Sequence, residues 1–334
     1  MMTALSQPLA DASPEASIKV LYILGWGRSG STIIDNLLGE LDGFFSAGEL
    51  NYLWQRGLLE RRRCGCGALV TECPVWSAVL RSAFGQPLTD HVSPAEVVRW
   101  QRDTVRVRHT WNLLRYARGA TTGRTALDAY ARVAGRLYAA IADVTGARVI
   151  VDSSKRPSDA AFLRLVPGIS PYFVQLVRDP RAVAYSWRRR KAQLDRDRPA
   201  DMVQHGPIDS TLSWLGWNLA GDALRLRHGR ARSAVVRYED FVRDPRTTLV
   251  TMTRLVGEGS PSLPLEGTRT AHLARNHTVS GNPSRFKTGT IELREDREWL
   301  SRQDGFDRLA ATSLALPLLH RYGYRVRPGR ADAR

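Results

Sequence analysis

Val20-Leu21-Tyr22-Ile23-Leu24 followed by Gly25-Trp26-Gly27-Arg28-Ser29-Gly30-Ser31-Thr32 and then Ile33-Ile34-Asp35-Asn36-Leu37-Leu38 is the stretch that decides the fold. It reads as a buried strand, a glycine turn and a helix. At such a helix start several backbone N–H groups converge on one spot, and the helix dipole favours an anion there. The nucleotide-hydrolysing form of this loop carries a Lys before its Ser/Thr, which reaches the β- and γ-phosphates. Here Ser31 occupies that position. The loop formed by Gly27, Arg28, Ser29, Gly30, Ser31 and Thr32 is therefore expected to hold a phosphate without the group that γ-phosphoryl transfer relies on.

The rest of the 334-residue chain is ordinary in apolar (43%) and charged (25%) content, but its net charge is +16. Only Lys19, Lys155, Lys191 and Lys287 are lysines. A genome biased toward arginine, together with surface solvation, accounts for most of the excess; the remainder suits anionic ligands. Residues 1–17 read as a polar tail without a secretory pattern, and 328–334 as a second tail, leaving one domain over 18–327. No stretch approaches the roughly 20 apolar residues of a membrane span. The expectation is a cytoplasmic protein, with peripheral membrane contact and oligomeric state left open. Cys64, Cys66 and Cys73 read as structural thiols or a local disulfide rather than a metal knuckle, because no fourth ligand stands nearby in sequence.

Ile18–Leu24, Arg148–Val151, Tyr172–Val177 and Ala234–Val236 read as buried parallel strands. Strands alternating with helices imply an α/β fold, a P-loop-like parallel sheet flanked by helices. Ligands of such sheets bind at the carboxyl ends of the strands. Residues 43–145 read as a long helical insertion, with helices over Pro94–Arg118 and Ala126–Thr145. Trp54, Trp76, Trp100 and Trp111 are read mostly as its packing core. Asp195–Pro207 is polar and reads as a mobile loop over the site.

A second motif, Val177-Arg178-Asp179-Pro180 running to Tyr185-Ser186-Trp187, ends a strand, caps a helix with Asp179 and starts it with Pro180. Arg178 and Ser186 can face one phosphate. Together with the lysine-less loop, this resembles the sulfotransferases that use 3′-phosphoadenosine 5′-phosphosulfate (PAPS) and release adenosine 3′,5′-bisphosphate. The resemblance implies that the loop holds the 5′-phosphosulfate and that Arg178 and Ser186 hold the 3′-phosphate. It further implies roles for Lys155, in Asp152-Ser153-Ser154-Lys155, near the sulfuryl group, and for Tyr238, in Tyr238-Glu239-Asp240, near the adenine. Arg285 and Lys287 would lie in a basic loop, His277–Lys287, closing over the cofactor. The motif mix is similar to the carbohydrate and tyrosylprotein branch, and a bacterial source is expected.

Sulfuryl transfer needs groups that neutralise charge and a base for the acceptor hydroxyl. Arg28, Lys155 and the loop N–H groups suit the first task. By resemblance to the tyrosylprotein branch, Glu49 in Gly48-Glu49 is the first choice of base, with His109, His205 and His277 in reserve. No metal is required. The acceptor would be a hydroxyl on a carbohydrate, lipid or small molecule. The alternative is a P-loop small-molecule kinase using ATP and Mg, with Arg28 replacing the missing Lys. Specific nucleic-acid binding is disfavoured, because the basic residues are dispersed and no recognition motif is present.

Overall fold

A computed structural model describes residues 17–85, 92–198, 200–259 and 261–326; the tail residues 1–16 and 328–334 lie outside these. Five parallel strands form the central sheet in the order β2-β3-β1-β4-β5. They are β1 (Ile18–Leu24), β2 (Phe44–Gly48), β3 (Val149–Lys155), β4 (Ile169–Val177) and β5 (Ser233–Arg237). In the middle of the sheet Leu21 pairs with Val151 on one side and Tyr172 on the other.

Successive side chains of a strand point to opposite faces, and β1 shows how this builds two cores. Val20, Tyr22 and Leu24 pack into one, with Trp54, Trp76, Ile141 and Phe162. Leu21 and Ile23 pack into the other, with Ile34, Leu37, Phe241 and Met252. The second core anchors α1 (Ser31–Gly39), α9 (Tyr238–Arg243) and α10 (Pro245–Leu255). α1 buries Asp35 and Asn36 as well, and Ile34, Leu37 and Leu38, at about 1.5–3 kcal/mol each, offset that cost. A third cluster joins α7 (Pro180–Arg188), α8 (Pro207–His228) and α12 (Gly305–Leu319) through Val183, Trp214 and Leu319.

The segment read as an insertion is more deeply built in than expected. Phe44–Gly48 is the edge strand β2, paired with β3. It is short and has no β-branched residue, which hid it. The helices that follow, α2 (Pro74–Phe84), α3 (Pro94–Thr104), α4 (Thr110–Arg115) and α5 (Thr125–Thr145), cover one face of the sheet rather than capping its end. Pro94–Arg118 is not one helix. The chain leaves α3 at Val105, whose carbonyl accepts from Arg156 and Ser158. Trp54 and Trp76 are core residues and Trp100 packs against the core, but Trp111 is 57% exposed.

β3 runs four residues past its expected end, so Asp152–Lys155 is strand. α6 (Pro157–Leu163) follows it. A small antiparallel sheet of β6 (Leu265–Glu266), β7 (Thr270–Leu273) and β8 (Gly289–Glu292), absent from the sequence reading, packs beside α1 through Ala271 and Leu273. α11 (Glu298–Arg302) lies between this sheet and α12. No helix among the described residues is long and apolar enough to cross a membrane.

Candidate active site

Each of the five parallel strands delivers one of the expected residues at its carboxyl end. β1 runs into the loop carrying Arg28, β2 into Glu49 and β3 ends on Lys155; β4 runs into Arg178 and β5 into Tyr238. All five line one cleft of about 800 Å³. Nine basic side chains and two acidic ones, Glu49 and Asp296, line it, so the cleft is set for an anion.

At the loop, Gly30 adopts φ +87°, and a Cβ there would stand 2.3 Å from the Tyr238 ring. Only glycine meets both conditions. It is also the N-cap of α1, and no side chain caps that helix, so its first-turn N–H groups are open to a ligand. Gly27, Ser31 and Thr32 line the cleft, whereas Ser29 turns its hydroxyl onto the Trp26 carbonyl at 2.7 Å.

Arg28 sits at φ +69°, unusual for a non-glycine residue. Its guanidinium lies over the Trp187 ring, 4.8 Å from the centroid. All three of its nitrogens are buried and have no hydrogen-bond partner among the described residues. Burial, then the neighbouring Arg189, pull its pKa down to about 10. An unpartnered buried cation is costly, and an arriving anion removes the cost.

Arg178 and Ser186 both line the cleft, and Asp179 caps α7 by accepting from the Arg181 N–H, as its sequence implies. Arg178 donates to the Arg28 carbonyl at 2.9 Å and stacks its guanidinium on Tyr238, 4.6 Å from the centroid. The glycine loop and the end of β4 are thus joined directly.

On the other side Glu49 pairs with Lys155 Nζ, which also donates to the Ser153 carbonyl at 3.2 Å. Arg56 stands 3.7 Å from the second Glu49 oxygen. Burial pushes the Glu49 carboxyl up, but Lys155 and Arg56 outweigh it and hold the pKa below the ordinary value. Lys155 itself is at φ +72°, ending its strand.

Arg285 and Lys287 are not brought into this cleft. Arg285 is 1% exposed, and its fork donates to the carbonyls of Thr278 and Arg63 and faces Asp195 at 3.7 Å. Lys287 is exposed. Their loop reaches the cleft instead through Asn282 and Ser284. Of the reserve bases, His205 lines the cleft beside Asp209, while His109 accepts from the Arg106 N–H at 3.2 Å. His277 lies among the three cysteines, which are free thiols, the first of the two expected states, and not a disulfide. In the Asp195–Pro207 segment Asp195 is buried against Arg62 and Arg285, and Met202 and His205 form part of the cleft wall.

The sequence reading missed an aromatic wall. Trp26 packs edge-on to Trp217 (4.8 Å) and tilted on Trp187 (5.4 Å), and His205 packs edge-on to both Trp26 and Trp187. It also missed Lys191, Arg189 and Arg106. Trp26 and Trp187 lie inside the quoted motifs and were a legible signal; Trp217 and Arg106 come from distant elements and were not.

The sequence matches the family model described as "Sulfotransferase family" over residues 21–258. Among solved structures, the sulfotransferase domain from the curacin biosynthetic pathway is similar, with a TM-score of 0.52 at 16% identity over 92% of this chain and 98% of that one. The sulfotransferase domain from the Synechococcus PCC 7002 olefin synthase is 19% identical over 96% of this chain and 99% of that one, with a TM-score of 0.46. A sulfotransferase from Mycobacterium avium is 14% identical over 92% and 78%, with a TM-score of 0.44. No curated protein sequence matches the chain.

Proposed function

This chain belongs to the sulfotransferase family, and from that premise we propose that it moves a sulfuryl group from PAPS to an acceptor hydroxyl. The observation that carries the reading is Arg28. Three unpartnered guanidinium nitrogens stand beside an uncapped helix start, with Arg178 and Ser186 lining the same cleft. Cationic groups on two elements of one cleft suit a ligand that carries more than one phosphate.

PAPS supplies sulfur bonded to a phosphate oxygen, and that bond breaks as the acceptor oxygen bonds to sulfur, releasing adenosine 3′,5′-bisphosphate. The chain's residues divide the remaining work. The α1 N–H groups and Arg28 hold the 5′ end, where negative charge develops. Arg178 and Ser186 hold the 3′-phosphate, and Tyr238 offers its ring face beside them. Lys155, drawn to the anion, leaves Glu49. The carboxylate then regains basicity and takes the acceptor's proton at the oxygen Lys155 vacates. Tyr52, Arg56, Arg106 and Arg108 border the Glu49 side of the cleft, where a carbohydrate, lipid or small-molecule hydroxyl would approach. A kinase using ATP and Mg is not favoured, since the loop lacks its lysine and the family match is to sulfotransferases.

Calorimetry with adenosine 3′,5′-bisphosphate against Mg·ATP tests the donor class. The bisphosphate should bind more tightly without metal. Arg178→Ala should weaken the bisphosphate much more than AMP. Preference for Mg·ATP, or equal losses for bisphosphate and AMP, would overturn the donor assignment.

A further inference from the structure

Behind the cleft, two loops far apart in sequence meet face to face. Gly65 N–H donates to the Thr278 carbonyl at 3.0 Å, and Trp76 Nε1 donates to the His277 carbonyl at 2.6 Å. A Cβ on Gly65 would lie 2.0 Å from Asn276 Oδ1, so the approach needs a glycine. At this junction stand Cys64, Cys66, Cys73 and His277, whose four ligand atoms all lie within 4.8 Å of one another. His277 Nδ1 is 3.2 Å from Cys73 Sγ and 3.9 Å from Cys64 Sγ.

We propose that Cys64, Cys66, Cys73 and His277 form a structural zinc site that clips the C-terminal loop onto the insertion. Three thiolates and an imidazole are the donor set for which zinc is the best match. In a zinc tetrahedron with Zn–S near 2.3 Å, the ligand atoms stand about 3.5–3.8 Å apart. The separations, 3.2 and 3.9 Å from His277 Nδ1 and none above 4.8 Å, bracket that spacing, so small side-chain adjustments complete the shell. Four protein ligands leave no open position, which makes the site structural rather than catalytic.

The backbone is already shaped for it. Gly67 N–H donates to the Cys64 carbonyl at 2.9 Å, closing a tight turn that brings Cys64 and Cys66 to one side. Cys73 stands at the start of the 11-residue helix α2, where the dipole favours a thiolate. On binding, each thiol releases its proton to solvent, and three thiolates with Zn²⁺ leave one net negative charge.

The clip has a consequence for the cleft. From His277 the chain runs directly to Val279, which pairs with Gly48 and accepts from the Glu49 N–H at 2.8 Å. Zinc would therefore act as a positioning element for Glu49, two residues of chain and one hydrogen bond away. This inference rests on the cluster alone and stands or falls apart from the donor assignment.

The test is metal analysis of the full chain purified without chelator. The expected result is about one zinc per chain, released in step with modification of three thiols by a mercurial. Cobalt exchanged into the protein should give the visible absorption of a tetrahedral thiolate site. Cys66→Ser, at the half-buried cysteine, is the cysteine variant least prone to misfold, and should lose most of the bound zinc. Chelation should raise hydrogen exchange at 62–73 and 276–286 while the central strands stay protected. Protein that holds no zinc and takes up none when it is added would overturn the proposal. So would a mass deficit of two hydrogens marking a disulfide among the three cysteines.

Discussion

Two arginines with buried guanidinium nitrogens live under opposite rules in this chain. Arg28 reaches the cleft with three nitrogens unpartnered. Arg285 lies a short way behind it, fully enclosed, with its terminal nitrogens committed to the Thr278 and Arg63 carbonyls. The first arrangement costs stability and is useful only when an anion arrives; the second holds two loops together and is useful all the time. A cation with its whole fork unpartnered therefore points to the proposed binding region, and one whose terminal nitrogens are held by carbonyls points to its scaffold. Position in a basic-looking motif does not distinguish them, since both arginines were candidates for the same ligand.

The largest effect expected from this contrast is at Glu49, which belongs to both regions. Its side chain faces the cleft and its N–H is tied to Val279. Glu49→Gln keeps the backbone tie and removes the proposed base, so turnover should fall about 10²- to 10⁴-fold. Bisphosphate affinity and thermal stability should stay near wild type. An unchanged rate, measured with saturating acceptor, would move the base to His205.

Arg28 and Arg285 give the next test. Arg28→Ala should cut kcat/KM by about 10²- to 10³-fold, while the melting temperature holds or rises because an unpaired buried charge is gone. Arg285→Ala should do the reverse: it strands two carbonyls and loosens Asp195, at a cost of about 3 kcal/mol. Thermal scans of both variants, paired with activity at a temperature where each is folded, separate the two roles. If both lose stability alike, the distinction between binding cation and scaffold cation fails.

The legibility of the sequence follows the same divide. β1, the glycine loop and the Asp179-Pro180 helix start were readable because local rules fix them: an apolar run, a cap, a proline in the first turn. Lys155 and Tyr238 were readable because motif and strand end coincide. What escaped is what only the folded chain brings together. Phe44–Gly48 lacks β-branched residues and gains its strand from pairing with β3. His277 lies 204 residues from Cys73 in sequence, so no spacing rule joins it to the cysteines. Arg285 looked like a ligand-binding cation until the carbonyls around it were placed.

The smallest effect sharpens the cleft side of the comparison. Burial, with Arg28 and Arg189 adding to it, pulls the Lys191 pKa down to about 8. Lys191 is thus charged below that pH and neutral above it. A bound phosphate favours the charged form and raises the pKa in the complex, so binding above about pH 8 must take up a proton. Affinity for adenosine 3′,5′-bisphosphate should then fall by up to about tenfold per pH unit above that point. Phosphate titration does not interfere, since its second pKa lies near 6. Calorimetry in buffers of different ionisation enthalpy reads the proton directly. Lys191→Met should bind more weakly at neutral pH and lose the slope. A flat wild-type affinity through this range would mean that Lys191 does not face the anion, and that the cleft's cations are more independent than their crowding implies.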